Sequence, residues 1–276
     1  MAELPLNSRA PLQQFERYVA IGDSSTEGLE DPAADGSYHG WANRFAEHVA
    51  AAQHTTLLYA NLAVRGRKTR EVRDEQLAPA LAMRPDLATV FAGVNDVVRR
   101  SCDVRQVADD LEFMLQSLRD GGATVLTITM PDLSAVVPLA ALMRNRLLAL
   151  NELVRAACAR TGAHCVDLAA HAVTHDLRLW HPDRLHANSD GHRRIAAALA
   201  ESLGLAGHDR WWIEALPPTP APGPVGVAAA ELRWARDFFV PWIWRHARGI
   251  SSGDGRVAKR PTLLPVLAGN SAATAD

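Results

Sequence analysis

The chain has 276 residues, 48% hydrophobic and 22% charged, which supplies a packed core for one large domain plus an appendage and excludes general disorder. Its formal net charge of −2 gives no electrostatic case for nucleic acid as a partner. The three cysteines (Cys102, Cys158 and Cys165) are odd in number and follow no metal-ligand spacing, so a full disulfide framework is excluded and a reducing compartment is expected. No basic-then-apolar leader opens the sequence, and no apolar run reaches the roughly 18 residues of a spanning helix. A soluble, cytoplasmic protein is the expectation.

In chain order, Tyr18–Ile21 is a short apolar run ended by Gly22, and Leu57–Asn61 is a second. Leu87–Phe91 and Thr124–Met130, rich in β-branched residues, are the third and fourth, and His164–Leu168 is the fifth. Helical patterns fill the intervals at Trp41–Ala52, Thr69–Met83, Val104–Arg119, Leu139–Arg160 and Gly191–Leu203. Gly121-Gly122 and Thr161-Gly162 close two of these helices where a left-handed residue is favoured. Strict alternation predicts a parallel five-stranded sheet covered on both faces, with chemistry beyond the carboxyl ends of its strands.

Residues 1–15 read as a lead-in, 16–205 as the α/β domain and 206–226 as a linker, since Pro217 to Pro224 excludes regular helix or central strand. Residues 227–276 read as a helical and irregular extension, with Leu232, Ala235, Phe239 and Trp242 at helical spacing and Pro241 as its breaker. Five of the seven tryptophans lie past residue 210, beside Arg233, Arg236, Arg245 and Arg248. That composition fits a helix packed back on the domain, and it also fits peripheral contact with a lipid surface.

Four loops carry chemistry-bearing residues. Gly22-Asp23-Ser24 follows the first strand and presents a serine hydroxyl at the sheet edge, which becomes nucleophilic only beside a base. Asp183-Arg184-Leu185-His186 places a carboxylate three residues before a histidine. That spacing allows the carboxylate to fix the ring tautomer through Nδ1–H and leave Nε2 free as a base. Asn188, Ser189 and Asp190 are candidate caps for the following helix. Gly93-Val94-Asn95-Asp96 follows the third strand and offers the Asn95 amide to developing negative charge. Gly66, after the second strand, offers a backbone N–H. Asp23, Trp180 and His181 are further candidates for lining a substrate site. His175, His181 and His192 match no compact zinc spacing, so no metal is expected. The run Arg65, Arg67, Lys68 and Arg70 reads either as a solvated face or as an attraction for anionic substrates.

In order along the chain, these blocks resemble those of the SGNH (GDSL-type) hydrolases: GDS at Gly22–Ser24, a glycine at Gly66, GxND at Gly93–Asp96 and DxxH at Asp183–His186. The resemblance covers about residues 16–205 and departs from the pattern at Ser25, where the GDSL name has leucine. It implies a three-layer α/β/α flavodoxin-like sandwich and a serine hydrolase acting on small-molecule esters, with no metal or organic cofactor. Ser24 would be the nucleophile, His186 the base and Asp183 its orienting carboxylate. The backbone N–H groups of Ser24 and Gly66 and the Asn95 side chain would hold the oxyanion. A lysophospholipase, thioesterase, carbohydrate O-deacetylase or acyltransferase using the same residues stays open, as does a non-catalytic binding module. The absence of GxGxxG and GxxxxGK[ST] argues against a nucleotide-binding domain.

Overall fold

The computed structural model describes residues 14–135, 137–205, 209–220, 223–241, 244 and 252–266. Five parallel strands occur where the apolar runs place them: β1 (Arg17–Gly22), β2 (Leu57–Asn61), β3 (Leu87–Phe91), β4 (Thr124–Ile128) and β5 (His164–Val166). Val19, Leu87, Val90, Val125 and Leu126 are fully buried, as expected of strands covered on both faces. Tyr18 is also buried, and its hydroxyl hydrogen-bonds the Thr89 hydroxyl at 2.8 Å, which removes the cost of an unsatisfied polar group in the core.

The helices are α1 (Ser24–Glu27), α2 (Gly40–Gln53), α3 (Thr69–Ala82), α4 (Val94–Val97), α5 (Val104–Asp120), α6 (Arg144–Thr161), α7 (Ser189–Ser202) and α8 (Pro224–Trp234). α2 packs with α7 on one side of the sheet, while α3, α5 and α6 pack together on the other. The helix expected over 139–160 is divided: a 3-10 turn at Pro138–Leu142 precedes α6, with the break at Met143, whose φ is −106°. Gly162 takes the left-handed C-terminal position of α6, at φ 71°. After α5 that position falls to Gly122, at φ 92°, while Gly121 stays right-handed.

The sheet has six strands rather than five. Its order is β5-β4-β3-β1-β2 followed by β6 (Arg260–Val266), which pairs antiparallel with β2 through Leu57↔Val266, Leu58↔Pro265 and Tyr59↔Leu264. β6 lies in the stretch expected to be irregular. Pro261 and Pro265 disguise it, because proline cannot donate to a ladder and is tolerated only where a strand forms an edge. The expected linker also contains ordered structure: the 3-10 turn Arg210–Ile213 buries Trp212 in the core.

The inner face of α8, carrying Glu231 and Trp234, packs on the domain, while Leu232 and Val240 are exposed. A π-helical turn, Ala235–Phe239, continues it to Pro241. The expected helical positions Trp242, Arg245 and Arg248, and most of the lead-in, lie outside the described residues. No helix among the described residues is long and apolar enough to cross a membrane.

In this strand order the chain leaves β1 toward β2 on one side and returns to β3 on the other. The loops after β1 and β3 therefore diverge and open a crevice at the carboxyl edge, where ligands of open α/β sheets bind. Ser24 and Asn95 follow these two strands.

Candidate active site

The turn after β1 is tightly specified. A Cβ on Gly22 would lie 2.2 Å from the Phe91 carbonyl oxygen, so glycine is what lets the ends of β1 and β3 approach. Gln76, buried on α3, holds that turn from both sides: Gly22 N–H donates to Oε1 at 2.8 Å, and Nε2 donates to the Gly22 carbonyl at 2.9 Å. Asp23 is the N-cap of α1, its Oδ1 accepting from Ser25 N–H at 3.1 Å, and Ser24 is the helix's first residue. Burial pushes the Asp23 carboxyl up to about 7, against the opposing hydrogen bond from Ser25 and the charge of His186.

The loop before α7 supplies the other half. Asn188 caps that helix by accepting from Gly191 N–H at 3.0 Å, and a bridge between Trp180 and Ala187 closes the loop's neck. Within it, Asp183 Oδ1 accepts from the backbone N–H groups of Leu185 (2.9 Å) and His186 (3.0 Å). Asp183 Oδ2 lies 2.7 Å from His186 Nδ1, and His186 Nε2 lies 2.9 Å from Ser24 Oγ. With Nδ1–H donating to the carboxylate, Nε2 accepts from the Ser24 hydroxyl. Serine, histidine and aspartate thus form one continuous chain across 162 residues of sequence.

Electrostatics reinforce it. Burial acts to raise the Asp183 carboxyl, but the hydrogen bond and charge of His186 and the two backbone donors overcome this and hold it at about 2. Burial acts to lower His186, and its bond to Asp183 with the charges of Asp183, Asp23 and Glu30 prevails, leaving it above the usual 6.5. The pair is therefore set as a carboxylate beside a readily protonated imidazole.

Gly66 has φ 76°, the left-handed region that suits glycine. Neither its backbone N–H nor that of Ser24 has an acceptor among the described residues. Glu27 fixes this loop by accepting from Arg65 N–H at 2.8 Å and pairing with its guanidinium. Asp96 joins it to the third loop, its Oδ2 accepting from Thr69 N–H (2.9 Å) and Thr69 Oγ1 (3.0 Å) at the start of α3. Asn95 Nδ2 donates to the Arg67 carbonyl at 3.0 Å and, more weakly, to Asp23 Oδ2 at 3.4 Å. The basic run beside Gly66 is largely compensated. Arg65 pairs with Glu27, Arg67 lies 2.9 Å from Glu75, Lys68 lies 4.0 Å from Glu71 and Arg70 lies 3.8 Å from Asp74, which fits a solvated face.

Trp180 donates from Nε1 to the Thr174 carbonyl at 2.9 Å and lines an apolar cleft of about 160 Å³. Ile128, Met130, Leu147, Leu168, Leu179 and Ile195 form much of its wall, which also runs past Ser25, Leu185 and Ala187, sequence neighbours of Ser24 and His186. His181 is not on that wall. Its Nδ1 lies 3.3 Å from Asp183 Oδ2 and accepts from Asp183 N–H at 3.3 Å, while Nε2 faces Glu30 at 3.2 Å. Glu30, His181 and Asp183 are close enough to meet a metal ion, but Asp183 already serves His186 and two backbone donors. His192 is fully buried: Nδ1 accepts from Trp41 N–H at 3.1 Å and Nε2 donates to the Leu29 carbonyl at 2.9 Å. Burial holds it neutral, at about 4, as a structural residue.

Gln76, Glu27 and Glu30 were not among the sequence candidates. All act through pairings 38 or more residues apart, or in Glu30's case with the distant His181, and carry no local motif.

A family model described as GDSL-like lipase/acylhydrolase matches residues 20–194. No curated protein matches the chain. Among solved structures, TesA is 19% identical with a TM-score of 0.57, covering 68% of this chain and 98% of its own. The acetyl-xylooligosaccharide esterase Axe2 from Geobacillus, in a mutant form, is 17% identical with a TM-score of 0.58, covering 72% of this chain and 99% of its own. The lipase Lip_vut3 from a goat rumen metagenome is 16% identical with a TM-score of 0.57, covering 71% and 99%. At these identities the likeness is one of fold.

Proposed function

The chain belongs to the GDSL-like lipase/acylhydrolase family of ester-bond hydrolases, and from that premise we propose that it cleaves carboxylic esters through an acyl-enzyme on Ser24. The observation that carries the reading is the continuous chain from Asp183 Oδ2 through His186 to Ser24 Oγ, at 2.7 and 2.9 Å. A serine hydroxyl alone is a poor nucleophile, and a neutral imidazole within hydrogen-bond reach supplies the base.

In the proposed reaction Ser24 Oγ attacks the ester carbonyl as His186 Nε2 takes its proton. Asp183 keeps the ring oriented and stabilises the imidazolium. The negative oxygen is received by the Ser24 and Gly66 N–H groups, which have no acceptor of their own among the described residues, and by Asn95. Asn95 keeps its 3.0 Å bond to Arg67, and the hydrogen now spent on the long contact with Asp23 turns to the oxyanion. Such donors each contribute about 3 kcal/mol to barrier lowering. The imidazolium then protonates the departing alcohol. Water, activated by the same Nε2, cleaves the acyl-enzyme and returns Ser24.

The apolar cleft beside Ser25 favours an aliphatic acyl chain on the acid side of the ester. A thioester of the same acid would react by the same steps. A short acetyl group on a carbohydrate, the substrate class of the acetyl-xylooligosaccharide esterase Axe2, would leave most of the cleft unused. Hydrolysis of p-nitrophenyl esters from acetyl to palmitoyl, beside Ser24→Ala, tests the reading. Activity that disappears in the variant and rises with chain length is expected. Equal activity of the two proteins, or inertness of both on every ester, overturns it.

A further inference from the structure

The matched region ends at residue 194, and α8 begins 30 residues later, yet α8 lies against the loop that carries Asp183 and His186. Trp234 Nε1–H donates to the Asp183 carbonyl at 3.1 Å. Arg184, the next residue, makes a two-pronged bond to Glu231, at 2.8 and 2.6 Å, and its guanidinium sits 4.9 Å from the centre of the Trp234 ring. One turn on, Phe238 meets the His181 ring edge-on at 5.8 Å, and His181 itself touches Asp183. Three positions of one short loop are thus held from outside by a single appended helix.

The loop needs such support. Arg184 has φ 59°, a conformation that non-glycine residues adopt only when their surroundings enforce it. That residue makes the turn between Asp183 and His186, and it is the one clasped between Glu231 and Trp234. Further along, the same extension is anchored on the loop that carries Gly66 and on β2. Gly253 packs so closely on the Arg65 carbonyl, beside Gly66, that a Cβ would lie 2.0 Å from it. Lys259 Nζ donates to the carbonyls of Tyr38 (2.8 Å) and His39 (2.9 Å), and β6 zips onto β2.

We propose that the C-terminal extension is a brace for the catalytic loop, with Trp234 and Glu231 as positioning residues that hold Asp183 against His186. The proposal rests on the serine-hydrolase reading above. Neither residue contacts the reacting groups; Trp234 acts through the backbone carbonyl of Asp183 and Glu231 through the Arg184 guanidinium. Small displacements of a catalytic pair are costly, because the reaction depends on near-attack geometry.

The test uses the full chain with Trp234→Phe, which keeps an aromatic ring and deletes the N–H, and Glu231→Gln, which keeps the size and deletes the charge. The exchange Arg184→Glu with Glu231→Arg rebuilds the pair in reverse. Two quantities are read: kcat and KM on a p-nitrophenyl ester, and the titration of the His186 ring by nitrogen-15 NMR. His186 is faced by Asp183, Asp23 and Glu30, with His181 and His192 nearby, and none of these is substituted in the variants. Trp234→Phe changes no charge, so it decides the matter. It should lower kcat about tenfold with KM changed less than about twofold, and lower the His186 pKa because a displaced carboxylate favours the imidazolium less. Glu231→Gln should act in the same direction, and the exchanged pair should recover most of the loss.

Wild-type kcat and His186 titration in Trp234→Phe would overturn the brace. So would a raised KM at constant kcat, which would make α8 a wall of the substrate cleft. A wild type inert on esters, or an active Ser24→Ala, would instead overturn the hydrolase reading. The His186 titration needs no substrate and tests the brace even then.

Discussion

Replacing Asp23 by asparagine should stabilise the protein, and by more as the pH rises. Asp23 is 1% exposed, and burial pushes its carboxyl from the ordinary 3.8 up to about 7. The folded protein therefore keeps a proton that the unfolded chain has released, so stability falls as pH climbs from about 4 to about 7. At 1.36 kcal/mol for each pKa unit, the full cost above both values is about 4 kcal/mol. Asparagine cannot ionise and retains an oxygen for Ser25 N–H. It points its amide at Asn95 Nδ2, now 3.4 Å from Asp23 Oδ2, a loss on the order of 1 kcal/mol. The net gain is about 3 kcal/mol at about pH 8 and only about 0.6 kcal/mol at about pH 5. Urea unfolding of both proteins at the two pH values measures it. A stability difference that stays constant or narrows toward high pH would refute the reasoning, because it would mean that Asp23 ionises in the folded protein as readily as in water.

Three other outcomes follow from the same geometry. In the proposed reaction His186 must be neutral to accept the Ser24 proton, and Asp183 holds its pKa above 6.5, so kcat/KM should fall on the acid side with a limb above that value. Asp183→Asn should move this limb down and cut kcat by about 10,000-fold, read from pH–rate profiles. Gln76→Leu removes both bonds to Gly22 and should cost about 2–3 kcal/mol in urea unfolding, since two buried backbone groups lose their partners. Ala140→Phe, on the wall of the apolar cleft, should raise KM for long-chain esters about tenfold and leave acetyl esters unaffected, as steady-state kinetics would show.

The parallel strands were legible in the sequence because strands buried on both faces must be continuously apolar, as Leu87–Phe91 is. The loop residues were legible because Asp183 and His186 are three apart on one turn and Ser24 directly follows a strand. Asn188 was among the candidate caps and is the one used. The edge strand β6 was hidden, since its pairing with β2 bridges about 200 residues and its two prolines mimic a loop. Trp212 sits beside a proline-rich stretch yet fills the core, a tertiary choice that local composition does not encode. Of the supporting polar groups, Gln76 and Glu27 look like ordinary surface-helix residues until the fold sets them against Gly22 and Arg65. Asp96 divides the difference: the GxND block was readable, but its aspartate serves Thr69 at the start of α3, while Asn95 alone faces the crevice side through Asp23.

The central claim is that Ser24 is the residue that becomes acylated. Incubating the full chain with diethyl p-nitrophenyl phosphate, which phosphorylates activated serines, and mapping the adduct by peptide mass spectrometry tests it most directly. A single adduct on Ser24, absent from Ser24→Ala and slowed in His186→Ala, is the expected result. An adduct on another residue, or ester turnover that persists with Ser24 unmodified, would contradict the account.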